Sequence, residues 1–166
     1  MTRSLVIQAA EVRSLTPHHC FATWDRLLVI IWRREVTLEG VAELRKIGVA
    51  FAEGSKTPVS CLTIVQSTSP PPSDKVRGPY AAFHREIAPF MKEQMVVAEG
   101  SGFRSALVRS IGVALSTISP KSLPFKFASG LDEAALLIQP HLSPTAGGAE
   151  GMKRALSELR GRFPTA

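Results

Sequence analysis

The stretch from Gln94 to Ile111 constrains the fold more than any other part of the chain. Met95-Val96-Val97-Ala98 is an apolar run that gives way to Glu99-Gly100-Ser101-Gly102. After it Phe103, Ala106, Leu107, Ser110, Ala114 and Ile118 recur at helical spacing. A short apolar run bounded by glycine suits a strand buried on both faces, and the run, turn and helix together make half of a βαβ unit. Gly100 and Gly102 permit a tight turn, and Ser101 is positioned to cap the helix.

The same alternation of apolar runs and helical stripes continues in both directions. Cys20 to Trp24 alternates, Asp25-Arg26 reads as a tight turn, and Leu27 to Trp32 is nearly continuous apolar sequence. These features predict a hairpin whose second strand lies inside a sheet. Thr37 is a good N-cap for a helix whose apolar face is Leu38, Val41, Leu44, Ile47 and Phe51 and which stops at Gly54. Val59 to Val65 is the next buried strand. It ends in Gln66-Ser67-Thr68-Ser69-Pro70-Pro71-Pro72-Ser73-Asp74, where three consecutive prolines exclude helix and demand an extended loop. A helix over about Lys75 to Ala88 follows, with the central strand and helix after it, then a short strand Phe125 to Ala128 and a short helix around Leu131, Ala134, Ala135 and Ile138.

The chain is 166 residues long and 45% hydrophobic, enough for one well-cored domain and too little for two. The expected fold class is α/β. It consists of a mostly parallel five-stranded sheet with an N-terminal antiparallel hairpin and crossover helices, plus a C-terminal amphipathic helix. Residues 1–17 read as an N-terminal extension, either an added strand or a loose arm. Residues 18–142 form the α/β domain, 143–151 a linker, and 152–164 the C-terminal helix. On that helix Met152, Leu156, Leu159 and Phe163 form one apolar stripe that must be buried somewhere, which makes them candidate partner-binding residues. The stripe is expected to pack either on the chain's own sheet or in a symmetric homodimer, the dimer slightly favoured because a core ending at Leu142 already completes the fold that the family resemblance given below implies. Deleting 144–166 is then expected to leave a folded domain.

Charge and cysteine content narrow the function classes. Formal net charge is +6, but it is dispersed and not interleaved with aromatics, so a solvated basic surface is expected rather than nucleic-acid binding. Cys20 and Cys61 suit buried reduced thiols better than a disulfide or half a metal site. No run approaches the length of a membrane span, and Leu5-Val6-Ile7 is too short for a signal-peptide core, so a cytoplasmic protein is expected.

Catalytic material is sparse. His18, His19, His84 and His141 have neither HExxH nor CxxC company, and Glu99-Gly100-Ser101-Gly102 does not match the G-x-S-x-G elbow. No catalytic residue, metal or cofactor is expected. The best anion site is the start of the central helix, where Ser101, Gly102, Phe103 and Arg104 bring free N–H groups and a guanidinium together. The competing reading is a capped helix with an exposed arginine.

The βα order, with Thr37-Leu38-Glu39-Gly40-Val41 opening the first helix, Glu99-Gly100-Ser101-Gly102-Phe103-Arg104 forming the turn and Asp132-Glu133-Ala134 opening the last, resembles the STAS-like proteins, the fold of anti-sigma-factor antagonists. The resemblance spans about Cys20 to Leu142. The related CRAL-TRIO domains share the general βα arrangement. The resemblance implies a non-catalytic regulatory or scaffolding module that binds a protein partner, or alternatively a binder of a lipid or anionic metabolite in the CRAL-TRIO manner. In anti-sigma antagonists a phosphorylated serine opens the helix after the third strand. Here that place holds the proline-rich loop, without the Asp-Ser motif, and Ser67, Ser69 and Ser73 are the candidate phosphoacceptors. The alternative is a solvated loop in which Ser73 caps the following helix.

Overall fold

A computed structural model describes residues 8–100, 102, 106–112 and 125–163. It is an α/β fold built on a six-stranded mixed sheet. The strands are β1 (Glu11–Leu15), β2 (His19–Trp24), β3 (Leu27–Trp32), β4 (Val59–Val65), β5 (Met91–Ala98) and β6 (Phe125–Ala128). The helices are α1 (Leu38–Gly54), α2 (Asp74–Ile87), α3 (described over 106–112), α4 (Leu131–Ile138) and α5 (Gly148–Gly161). Among the described residues no helix is long and apolar enough to cross a membrane.

Each boundary follows from local chemistry. Asp25 takes a left-handed φ of 50°, which its short polar side chain tolerates, and closes the β2–β3 hairpin. The Thr37 hydroxyl accepts the Gly40 N–H at 2.9 Å and starts α1. The sheet has one strand more than the five expected. Glu11–Leu15, part of the stretch read as an added strand or a loose arm, pairs antiparallel with β2 through a bulge between Val12 and Ser14. β5 also begins four residues before Met95. Its added residues carry the buried polar pair Glu93 and Gln94, whose partners Lys126 and His84 lie on other elements, 33 and 10 positions away.

The strands lie in the order β1-β2-β3-β4-β5-β6, antiparallel at the two N-terminal pairings and parallel from β3 onward. Crossovers that all step in one direction with one hand must all fall on the same face of the sheet. Residues of α1 and α2, with Ile111 of α3, accordingly share one core with Phe21, Leu28, Ile30, Trp32 and Cys61. Such a topology leaves the other face bare, and its side chains are just as apolar: Cys20, Ala22, Trp24, Val29, Leu62, Met95 and Val97.

Helices α4 and α5 cover that second face. Met152, Leu156 and Leu159 are 0%, 2% and 1% exposed against it, and Phe163 packs at its margin. This corrects the expectation for the C-terminal helix. Its stripe seats on the chain's own sheet, with Met152, Leu156 and Leu159 buried there and Phe163 partly so. The segment read as a linker is also shorter, because α5 starts at Gly148, and Ser143 is fastened to the hairpin turn by its N–H to Asp25 Oδ2 at 2.9 Å.

Candidate functional site

The C-terminal ends of β3, β4 and β5 form one rim, and the proline-rich loop between β4 and α2 runs along it. The ladder continues briefly past the strand ends, with Gln66 N–H donating to the Trp32 carbonyl at 2.9 Å and Glu99 N–H to the Val65 carbonyl at 2.8 Å. Pro70, Pro71 and Pro72 have no N–H to give to a ladder, so the loop must be held by other means. Side chains supply the hold. The Thr68 hydroxyl donates to the Arg33 carbonyl, and the Ser69 hydroxyl donates to the Arg34 carbonyl at 2.6 Å. The Ser69 N–H closes a tight turn on the Gln66 carbonyl at 2.9 Å.

These bonds sort the three candidate phosphoacceptors. Ser69 is fully buried and its hydroxyl is engaged, so it pins the loop and is not open to modification. Ser67 and Ser73 are exposed. Ser73 occupies the N-cap position of α2 with extended backbone, but its side chain makes no capping hydrogen bond. Asp74 in the first turn complements the helix dipole and is paired with Arg77 at 3.0 Å.

The candidate anion site is only partly in view. Gly102 is exposed, while Ser101, Phe103 and Arg104 lie outside the described residues. Leading into it, Gly100 has φ of 124°, a conformation that favours glycine at this turn. Glu99 is held by Arg160 of α5. The end of α5 reaches the same rim a second time, where the Arg33 guanidinium lies 4.3 Å from the Phe163 ring centroid.

Beneath the proline-rich loop lies a cavity of about 50 Å³ between the sheet and the helices α2 and α3. Its floor is buried, formed by Trp32, Thr63, Tyr80, Val96, Val108 and Ile111. Pro70 and Pro72 of the loop, with Phe125 and Phe127 of β6, form a partly exposed rim. The Trp32 indole N–H donates to the Tyr80 oxygen at 3.2 Å, and burial raises the Tyr80 pKa, so the phenol stays neutral. Among the described lining residues none is charged. Sequence reasoning missed this cavity because its walls come from six separate elements and loops. The one local signal was Phe125-Lys126-Phe127, whose alternation puts two rings on the same face of an edge strand.

The histidines are engaged elsewhere. Buried His19 brings Ser14 Oγ to 2.9 Å and Glu43 Oε2 to 3.6 Å, a serine, a histidine and an acid together. Both approach Nε2, whereas a nucleophile relay places the serine on one ring nitrogen and the acid on the other. Nδ1 has no partner among the described residues, and the ring stacks on Phe21 at 4.0 Å. Burial lowers the His19 pKa against the opposing pull of Glu43. The cluster therefore ties β1, β2 and α1 together and does not activate Ser14. His84, also buried, bonds Gln94 through Nδ1, and burial depresses its pKa to about 4. His141 shares Glu93 with Lys126, at 3.5 and 2.7 Å. The thiols of Cys20 and Cys61 are free and buried, and burial pushes their pKa values up to about 11 and about 12. A buried neutral thiol is a poor nucleophile. Among the described residues no three His, Cys, Asp or Glu side chains form a metal-binding group.

No family model matches this chain, and neither a curated protein nor a solved structure matches it.

Proposed function

We propose that this chain is a cytoplasmic, non-catalytic regulatory or scaffolding module of the STAS-like kind, which acts by binding a protein partner through the loop from Gln66 to Asp74 and the start of α2. The observation that carries this reading is the way the loop is held. Thr68 and Ser69 fasten it to the β3–α1 backbone, three prolines stiffen it, and Ser67 and Ser73 stand exposed on either side. A segment ordered before binding loses less conformational entropy when a partner docks, so more of the contact energy remains as affinity. The βα succession that carries the resemblance, from β2 to α4, supports the same reading. A phosphate on Ser67 or Ser73 would add about −1.5 to −2 charges beside the start of α2 and switch the surface.

The rival reading, a lipid or anionic metabolite bound in the CRAL-TRIO manner, has less behind it. The cavity beneath the loop is small, and none of its described lining residues carries a charge.

Affinity capture from the native cytosol tests the proposal. The bait is the full chain, wild type or with residues 66–72 replaced by a Gly/Ser segment of equal length. A stoichiometric protein retained by wild type and lost from the loop variant is the expected result. Equal capture by both, or turnover of a substrate by the purified protein, would sink the reading.

A further inference from the structure

We infer that the cavity beneath the proline-rich loop is an anchor pocket that receives the branched tip of one aliphatic side chain, no larger than leucine, from the polypeptide that docks on the loop. This rests on the protein-binding reading above and specifies the chemistry of the partner.

Volume sets the class of occupant. An apolar cavity on the order of 150 Å³ takes a benzene molecule. One of about 50 Å³ suits a group of a few carbons and falls short of a lipid chain. Polarity sets its character. The floor offers Val96, Val108, Ile111 and the faces of Trp32 and Tyr80, and the Tyr80 oxygen is already engaged by the Trp32 N–H. A charged or strongly polar group entering here would lose its hydration without a charged partner among the described lining residues.

Position links the pocket to the loop. Pro70 and Pro72 belong at once to the rim of the cavity and to the segment that the Thr68 and Ser69 bonds hold in place. A partner lying along the exposed side of the loop passes the mouth. Interfaces concentrate their energy where a side chain fills a desolvated pocket surrounded by weaker contacts, and a rigid rim avoids the ordering cost.

The test is a titration of the ¹³C-methyl spectrum of the full chain with N-acetyl-leucine-N-methylamide. The glycine and aspartate analogues serve as controls, and dodecanol serves as the lipid arm. Burying one leucine side chain gives an expected Kd of about 5–80 mM, with saturable shifts at the methyls of Val96, Val108 and Ile111 and none from the controls. Val108→Phe fills the pocket and should abolish the shifts; if that variant does not fold, Val96→Leu intrudes more gently and should weaken them.

Four results overturn the inference. They are no shift from the leucine amide up to its solubility, equal shifts from the aspartate analogue, tighter one-to-one binding of dodecanol, and an NOE in the free protein from any residue of 113–124 to the Val108 methyls, since the pocket would then be filled from within. The two proposals fail separately. If the loop replacement leaves partner capture unchanged, the protein-binding reading falls whatever the titration shows. If capture is lost with the loop but the leucine amide does not bind, only the anchor pocket falls.

Discussion

The hydroxyl of Ser69 donates to the carbonyl of Arg34 at 2.6 Å, across thirty-five positions of sequence. It is a part-buried bond between a loop and the entry to α1, and with the neighbouring Thr68 bond it replaces the backbone ladder that three prolines forbid. Ser69→Ala leaves the Arg34 carbonyl without this donor, at an expected cost of about 1–2 kcal/mol. Amide exchange should speed up at Gln66 to Ser69 more than in β4. Unchanged exchange in this loop would show that the prolines alone hold it.

The burial of His84, only partly offset by its bond to Gln94, predicts a pH dependence. The folded-state pKa of His84 is about 4, below the ordinary value of 6.5, so between these values the unfolded chain binds more protons than the native one. Stability is then complete above about pH 6.5 and falls as the pH drops toward 4, by up to about 3 kcal/mol from this residue. The lowered pKa of His19 acts with the same sign. Urea melts from pH 7 to pH 4.5 should show the decline. His84→Asn, which can keep a donor toward Gln94, should flatten it, and an equal slope in the variant would move the effect to other groups.

Removing the C-terminal helix should unfold the protein. Met152, Leu156 and Leu159 cover strands whose side chains are otherwise apolar and would face water. Leu156→Ala alone is expected to cost about 2–5 kcal/mol. Deletion of 148–166 should give a chain with no cooperative melt by circular dichroism. A folded, soluble truncation would mean that the second face is covered in another way.

Two glycines inside helices should respond to alanine in opposite directions. A Cβ at Gly78 in α2 meets nothing within 4 Å apart from its chain neighbours, so Gly78→Ala should stabilise through backbone entropy, by less than the gain of about 0.5–1 kcal/mol at an ordinary helix site because Pro79 crowds the Cβ of the residue before it. A Cβ at Gly151 in α5 would stand 2.1 Å from the Ala146 carbonyl oxygen, so Gly151→Ala must displace the turn that leads into the helix. Its melting temperature should fall despite the better helix propensity of alanine. Parallel shifts in the two variants would contradict the packing at Gly151.

Much of the architecture was legible because it is written in neighbouring residues. The continuous run Leu27 to Trp32 announced a strand buried on both faces, Thr37 announced the start of α1, and Pro70-Pro71-Pro72 announced an extended loop. The pinning of that loop was not legible, because a serine that bonds a distant carbonyl has the same local sequence as one that faces solvent. Ser67, Ser69 and Ser73 therefore looked equivalent as candidates, and only burial separates Ser69 from the other two.

By itself the sequence determined the alternation of strands and helices, the apolar stripe on the last helix and the scarcity of reactive groups with catalytic spacing, since each depends on periodicity or on residue type within a short window. The tertiary structure decided which face that stripe covers. A sheet whose parallel strands succeed one another in a single direction gathers its crossover helices on one side, so the chain's own C-terminal helix is required on the other. It also decided that Trp32, Tyr80, Val108 and Phe127 surround a common cavity, because proximity among residues so far apart in the chain arises only when the layers close on each other.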